Sequence, residues 1–322
     1  MDNNVSKKTF LHKFFKLRFN NERASLSVKE LLQQKLSSAF YLTQQSYNFT
    51  YDPQFIVKTI NSKIALLHPS IESISADWDK HRVLLSLQPK PIIIYTSSVA
   101  LFLASRIKKM PSTVAEELVN LLILPTDNTN SPLELNIQIK LEKSGIIYFC
   151  LDSKSVAIWL KKSLALLDTE IDPAPQSLHL PKSSNFHSAS LFSIQYLHAR
   201  CCNLLSLGKR EKLFISNNDA EYTSWLDTQN DLWLKEDSEF VLLRQLFLVN
   251  DLYTAKSVDW QKIALNLSRI TAVFLTECRF LGQIKQENPL QAIARLKLIA
   301  LTQYWLKRLL TEKLNLAAPT SL

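Results

Sequence analysis

Glycine is almost missing from this chain. Only Gly145, Gly208 and Gly282 occur in 322 residues, where average usage of about 7% would supply roughly 22. A dinucleotide fingerprint needs three glycines within six residues, and a phosphate-cradling P-loop needs two in a similar span. The glycine-rich loop of kinases and the G-x-S-x-G elbow of α/β-hydrolases fall with them. Cysteine is also sparse. Cys150, Cys201, Cys202 and Cys278 build no disulfide framework, since two are adjacent, and a reducing cytoplasm is the expected setting. His198 and Cys201 have i, i+3 spacing, but no C-x-x-C or H-x-x-x-H adds further ligands, so no metal is expected. Long apolar runs are absent too: Pro91–Ser105 carries no charge until Arg106, yet is short of the roughly 20 residues that cross a bilayer. An apolar core and small-residue cleavage site of secretory type are missing from the N-terminus.

Positive charge is what the chain has in excess. The net charge is +9, which favours an anionic partner. It is unevenly spread: residues 1–24 carry +4, residues 211–239 carry −6 and residues 278–322 carry +5. In residues 1–24, Phe10, Leu11, Phe14, Phe15 and Arg18 fall at helical spacing among lysines. The segment is either a disordered extension or a basic amphipathic helix suited to an anionic membrane surface, RNA or a protein partner.

Residues 25–167 read as an α+β domain. Ser27 and Glu30 have capping-box spacing ahead of VKELLQQKLSSAF, and Thr113 and Glu116 repeat it ahead of VAEELVNLLI. Strand-like runs lie at Arg82–Leu87, Leu133–Leu141 and after Gly145, and SVAIWLKKSLALL closes the domain as a helix. Residues 168–190, with three prolines and five serines, read as a linker. Residues 191–322 read as an all-α helical bundle with helices at 191–207, 238–254, 258–281 and 289–314. The last is capped by Asn288 with Pro289 behind it, and its apolar stripe runs Leu290, Ile293, Leu296, Ala300 and Tyr304.

The helical half carries a recognisable pattern. Gln195-Tyr196-Leu197-His198-Ala199-Arg200 resembles the Q-Y-A-H-A-R segment in the anticodon-binding (DALR) domain of arginyl-tRNA synthetases. Phe274, Cys278 and Arg279 are similar to that family's F-x-x-x-C-R segment, Ala294-Arg295-Leu296 to its A-R-L helix, and LNLAAPTSL to its closing L-L-G-x-x-A-P-x-x-M, with Ala317 and Leu322 replacing glycine and methionine. The N-terminal domain resembles the family's additional N-terminal domain through IYTSSVALFLASRIKKMPSTVAEELVNLL and SGIIYFCLDSKSVAIWLKKSL. There Tyr95 matches the motif tyrosine and Ser98 stands where the family has asparagine.

The resemblance implies a tRNA-binding protein whose two RNA-facing domains flank no catalytic centre. The 23-residue linker stands where the family has its class I catalytic domain, and neither H-x-G-H nor K-M-S-K-S occurs. The expectation is a non-catalytic arginyl-tRNA synthetase paralogue binding tRNA (tRNA-Arg among the candidates) or another structured RNA, without a cofactor. Two alternatives stay open: a scaffold or assembly protein that has lost RNA binding, and an accessory subunit acting in trans with a separate catalytic chain. The RNA-contact candidates are Gln195, Tyr196, His198, Arg200, Arg279, Arg295, Lys297, Tyr304, Lys307 and Arg308, with Tyr95 and Ser98 in the first domain. Tyr196, Tyr304 and Trp305 are candidates for stacking on unpaired bases, and the lysines and arginines for phosphates. The plainer alternatives are helix–helix hydrogen bonding for His198 and Arg200, core burial for Tyr196, Tyr304 and Trp305, and a solvated basic face for Arg295, Lys297, Lys307 and Arg308. The carboxylate pairs Asp77 with Asp79 and Glu116 with Glu117 lack an accompanying base and read as surface or capping residues.

Overall fold

The computed structural model describes residues 13–18, 27–46, 53–67, 93–123, 134–168, 188–213, 225–255 and 257–321. The strand expected at Arg82–Leu87 and nearly all of the linker at 168–190 lie outside them. The chain divides into two compact units, Met1–Val156 and Ala157–Leu322.

The first unit is α+β. Its elements are β1 (Lys13–Arg18), α1 (Val28–Ser46), α2 (Pro53–Lys63), β2 (Ile64–Leu66), β3 (Ile93–Ser97), α3 (Val99–Ile107), α4 (Pro111–Ile123), β4 (Glu134–Leu141) and β5 (Ile147–Leu151), and it takes in the first turn of α5 (Ser153–Ala165). The strands form one antiparallel sheet in the order β1-β4-β5-β3-β2. Side chains alternate across it. Ile93 and Tyr95 share a face with Phe149 and Leu151 opposite them, all buried, while Ile94, Tyr148 and Cys150 form a smaller cluster on the other. The Ser27 hydroxyl accepts from the Glu30 amide at 3.1 Å, as its spacing predicts. Gly145 is required where it stands: φ is +92°, and a Cβ would lie 2.6 Å from that of Pro111.

Two expectations change here. The segment Lys13–Arg18 is an edge strand, with Phe15 opposite Ile137 and Leu17 opposite Leu135 on β4. A six-residue run fits a helical or an extended period equally well, and the unpaired edge of β4 decides. Helix α4 starts at Pro111, so Thr113 lies inside it. Proline needs no amide partner in the first turn, which moves the start two residues ahead of the threonine.

The second unit is helical: α6 (Ser188–Arg210), α7 (Asp237–Leu252), α8 (Trp260–Glu277), the single turn α9 (Gln283–Glu287) and α10 (Pro289–Arg308), which runs into a π turn at Leu309–Lys313. α10 contacts α6, α7 and α8. It is buried almost all round, from Ala292 through Leu296 and from Leu298 through Thr302, which marks the central helix of a bundle. Asn288 caps it, accepting from the Gln291 amide at 3.4 Å with Pro289 in the first turn. α6 crosses it at Gly208, where a Cβ would meet Leu296 Cδ2 at 2.3 Å.

Candidate nucleic-acid interface

Helix α6 has two opposed faces. Ile194, Leu197 and Cys201 turn inward with Gly208 below them. On the opposite side, at i, i+4 and i+8, stand Phe192 (58% exposed), Tyr196 (46% exposed) and Arg200, also exposed. The Phe192 and Tyr196 rings lie 6.3 Å apart at 24°, and Arg200 Nη1 donates to the Tyr196 hydroxyl at 3.3 Å. Large aromatic rings left in water beside a guanidinium are what unpaired bases and phosphates require. Phe192 was missed in the sequence, although its place four residues before Tyr196 is the signal.

Gln195 and His198 do something else. Gln195 Nε2 donates to the Ala317 carbonyl at 2.9 Å, and His198 Nδ1 lies 2.8 Å from that of Pro319. A carbonyl only accepts, so Nδ1 carries the proton. His198 Nε2 then accepts from Gln303 Nε2 at 2.9 Å. Burial pushes the imidazole pKa below its ordinary value, and Lys307 adds to this against the opposing hydrogen bond to Pro319. His198 is neutral, 1% exposed and fully bonded. Both side chains are engaged within the protein.

Arg295 is also internal. It is 6% exposed; its Nε donates to Glu239 Oε1 at 2.5 Å and its Nη1 to the Arg279 carbonyl at 2.6 Å. Glu239 is fully buried, and its other oxygen accepts the Lys235 and Glu236 amides that open α7. One guanidinium thus ties the start of α7 to the carbonyl just past the end of α8. Beside it the Ser238 hydroxyl lies 3.1 Å from Cys278 Sγ.

Tyr304 and Trp305 are buried too, at 5% and 4% exposure, and pack edge-on at 5.3 Å. Arg308 donates Nη1 to the Tyr304 hydroxyl at 2.9 Å and Nε to Glu312 Oε1 at 2.7 Å, and lies 4.4 Å from the Tyr253 ring centre. Burial is the largest single effect and opposes both charges, but the partners together outweigh it. The hydrogen bond to Glu312, with the charge attraction of Tyr304, Tyr253 and Glu312, raises the Arg308 pKa, and Arg308, Tyr253 and Lys313 together lower that of Glu312. Lys313 Nζ lies 4.2 Å from the same ring and donates to the Tyr253 carbonyl at 3.0 Å. The C-terminal positive charge expected to meet phosphates is therefore partly spent inside the protein. Arg279 keeps an exposed side chain. Lys307 is half-buried, and half-buried Lys297 rests 5.3 Å from the Trp225 ring centre.

In the first unit Tyr95 is fully buried, opposite Phe149 in the sheet, and has no face to offer RNA. Ser98 is half-buried, its amide donating to the Lys63 carbonyl at 3.0 Å. An exposed aromatic was overlooked nearby: Phe55 is 39% exposed beside Phe102, whose ring centre lies 5.5 Å from the Arg106 guanidinium.

The four segments that carry the resemblance thus meet in pairs. The Q-Y-L-H-A-R helix holds the L-A-A-P segment, and the A-R-L helix holds the C-R corner. Comparison with known proteins agrees with the pattern in part. The chain is 33% identical over 164 residues to an arginine–tRNA ligase of Synechococcus sp. (strain JA-3-3Ab), a match covering 49% of this chain and 26% of that protein. This chain thus spans about a quarter of its relative's length. No protein-family model and no solved structure matches.

The remaining chemistry is quiet. Burial pushes the Cys150 and Cys201 thiols up to about 12, leaving them protonated at neutral pH. His198 lies against Cys202, at 3.9 Å, rather than joining Cys201 as a ligand pair. Among the described residues no three His, Cys, Asp or Glu side chains gather to hold a metal ion, and no helix is long and apolar enough to cross a membrane.

Proposed function

We propose that this chain is a non-catalytic relative of arginyl-tRNA synthetases that binds tRNA or another structured RNA through its helical unit, a DALR-type anticodon-binding domain. The observation that carries the reading is the exposed row Phe192, Tyr196 and Arg200 on the helix bearing Q-Y-L-H-A-R. The partial likeness to an arginine–tRNA ligase supports it. Splayed loop bases stack on the two rings while Arg200 and Arg279 meet phosphates. The reading as non-catalytic rests on the sequence, which has no H-x-G-H or K-M-S-K-S and too few glycines for a nucleotide cradle. The internal roles of Arg295, Tyr304 and Arg308 favour a second reading, a scaffold that kept the fold and lost the RNA surface.

Filter retention of bulk tRNA and tRNA-Arg at two salt concentrations separates the two readings. RNA binding predicts micromolar or tighter retention that weakens steeply with salt and falls on replacing Tyr196, Arg200 or Arg279 by alanine. Negligible retention at low salt overturns it and leaves the scaffold reading. Preference for tRNA-Arg over bulk tRNA shows that bases are read.

A further inference from the structure

Residues 315–321 follow the π turn without helix or strand, and Asn315, at φ +51°, sets their course. Their backbone attachment is slight: the Leu316 amide donates to the Leu310 carbonyl at 2.8 Å. Beyond that point α6 holds them, through Gln195 on Ala317 and His198 on Pro319. The spacings match physically. Side chains at i and i+3 on a helix stand about 5–6 Å apart, and carbonyls at i and i+2 on an extended segment about 6.6 Å apart. Gln195 and His198, one turn apart on α6, thus take two carbonyls of the segment two residues apart, those of Ala317 and Pro319. Beneath it lies a polar seam between α6 and α10, made by His198, Gln303 and the half-buried thiol of Cys202. Between two otherwise apolar helices such a seam needs every partner satisfied, and Pro319 supplies the one for Nδ1.

We propose that residues 315–321 are a releasable strap, keyed to α6 by Gln195 and His198, whose release uncovers the His198–Gln303–Cys202 seam. Segments with few backbone hydrogen bonds open at less cost than the fold as a whole. The strap stands apart from the RNA reading, since neither keying residue belongs to the exposed row.

Two readouts on the full chain test it. Cys202 is the one cysteine that is not buried, so the rate at which an aromatic disulfide reagent modifies the native protein reports access to the seam. Gln195 hydrogen-bonds to the Ala317 carbonyl and Cys202 lies against His198, so Gln195→Ala and the isosteric Gln195→Glu act on the strap without removing a partner of Cys202. Each is expected to raise the rate roughly five- to tenfold, as for one lost hydrogen bond, while Gln195→Asn and wild type stay slow or intermediate. Nitrogen-detected NMR of the His198 ring is expected to show the proton on Nδ1, moving toward Nε2 when residues 317–322 are deleted. Wild-type labelling rates in both disrupting Gln195 variants, with circular dichroism unchanged, overturn the strap, as does an Nε2-protonated ring in the intact chain. If either disrupting variant fails to fold, the ring tautomer of the wild type decides.

Discussion

Arg295 Nε meets Glu239 Oε1 at 2.5 Å with both side chains buried. Two charges in an apolar bundle are sustained by the further partners each finds: Glu239 caps α7, and Arg295 reaches the Arg279 carbonyl. Breaking such a pair leaves a buried charge alone, which costs about 3–5 kcal/mol. Arg295→Ala and Glu239→Ala are each expected to lose that much stability in urea unfolding. Arg295→Met with Glu239→Leu is expected to lose less than the sum of the two single losses, since no charge is left alone, while keeping the loss of the α7 cap. A loss under about 1 kcal/mol in the single variants would falsify the structural role and return Arg295 to the RNA candidates.

The Gly208 crossing makes a steric prediction. A methyl added there lands on the Leu296 side chain, so Gly208→Ala forces the helices apart despite the better helix propensity of alanine. Overpacking of this kind costs about 1–3 kcal/mol. Leu296→Ala alone opens a cavity worth about 2–5 kcal/mol. The double variant is expected to be more stable than the sum of the two losses predicts, because each change makes room for the other. Simple additivity would show that the two residues do not meet.

His198 gives the helical unit a pH dependence. Its folded pKa is lowered, chiefly by burial, while the unfolded value is near 6.5. Between the two the unfolded chain binds more protons, so stability falls as pH drops below about 6.5, by up to about 1.4 kcal/mol per unit. Above that pH the effect vanishes. His198→Asn keeps a donor near Pro319 but does not titrate there. Its stability, measured between pH 7.5 and 5.5, is expected to lack that slope. Equal slopes in the two proteins would remove His198 from the account.

What was legible in the sequence was local. Ser27 with Glu30, and Asn288 with Pro289, mark their helix starts because cap and capped amide are three residues apart. Arg295 was misplaced because its partner Glu239 is 56 residues away, and nothing in a helical stripe tells a paired inward charge from a solvated one. Tyr304 and Arg308 were misplaced with it, since α10 is surrounded by helices and has little outer face to expose. The shared exposure of Tyr196 and Arg200 follows from the helical period, because α6 has an outer face.

The same physics bears on the basic N-terminal segment. Lys13–Arg18 pairs along β4 from Glu134 to Ile139 and so covers one edge of the sheet. Deleting residues 1–18 removes that cover and leaves the amides and carbonyls of β4 ready to pair with another chain. The truncated protein is expected to melt at least about 5 °C lower, the shift that about 1 kcal/mol produces in a small domain, and to self-associate at concentrations where the full chain stays dispersed. Light scattering and calorimetry read the two effects. A detachable docking peptide predicts the opposite, an unchanged melting temperature with loss of binding to anionic vesicles or a partner. An edge strand cannot leave the sheet without loosening it, so the melting temperature alone decides between them.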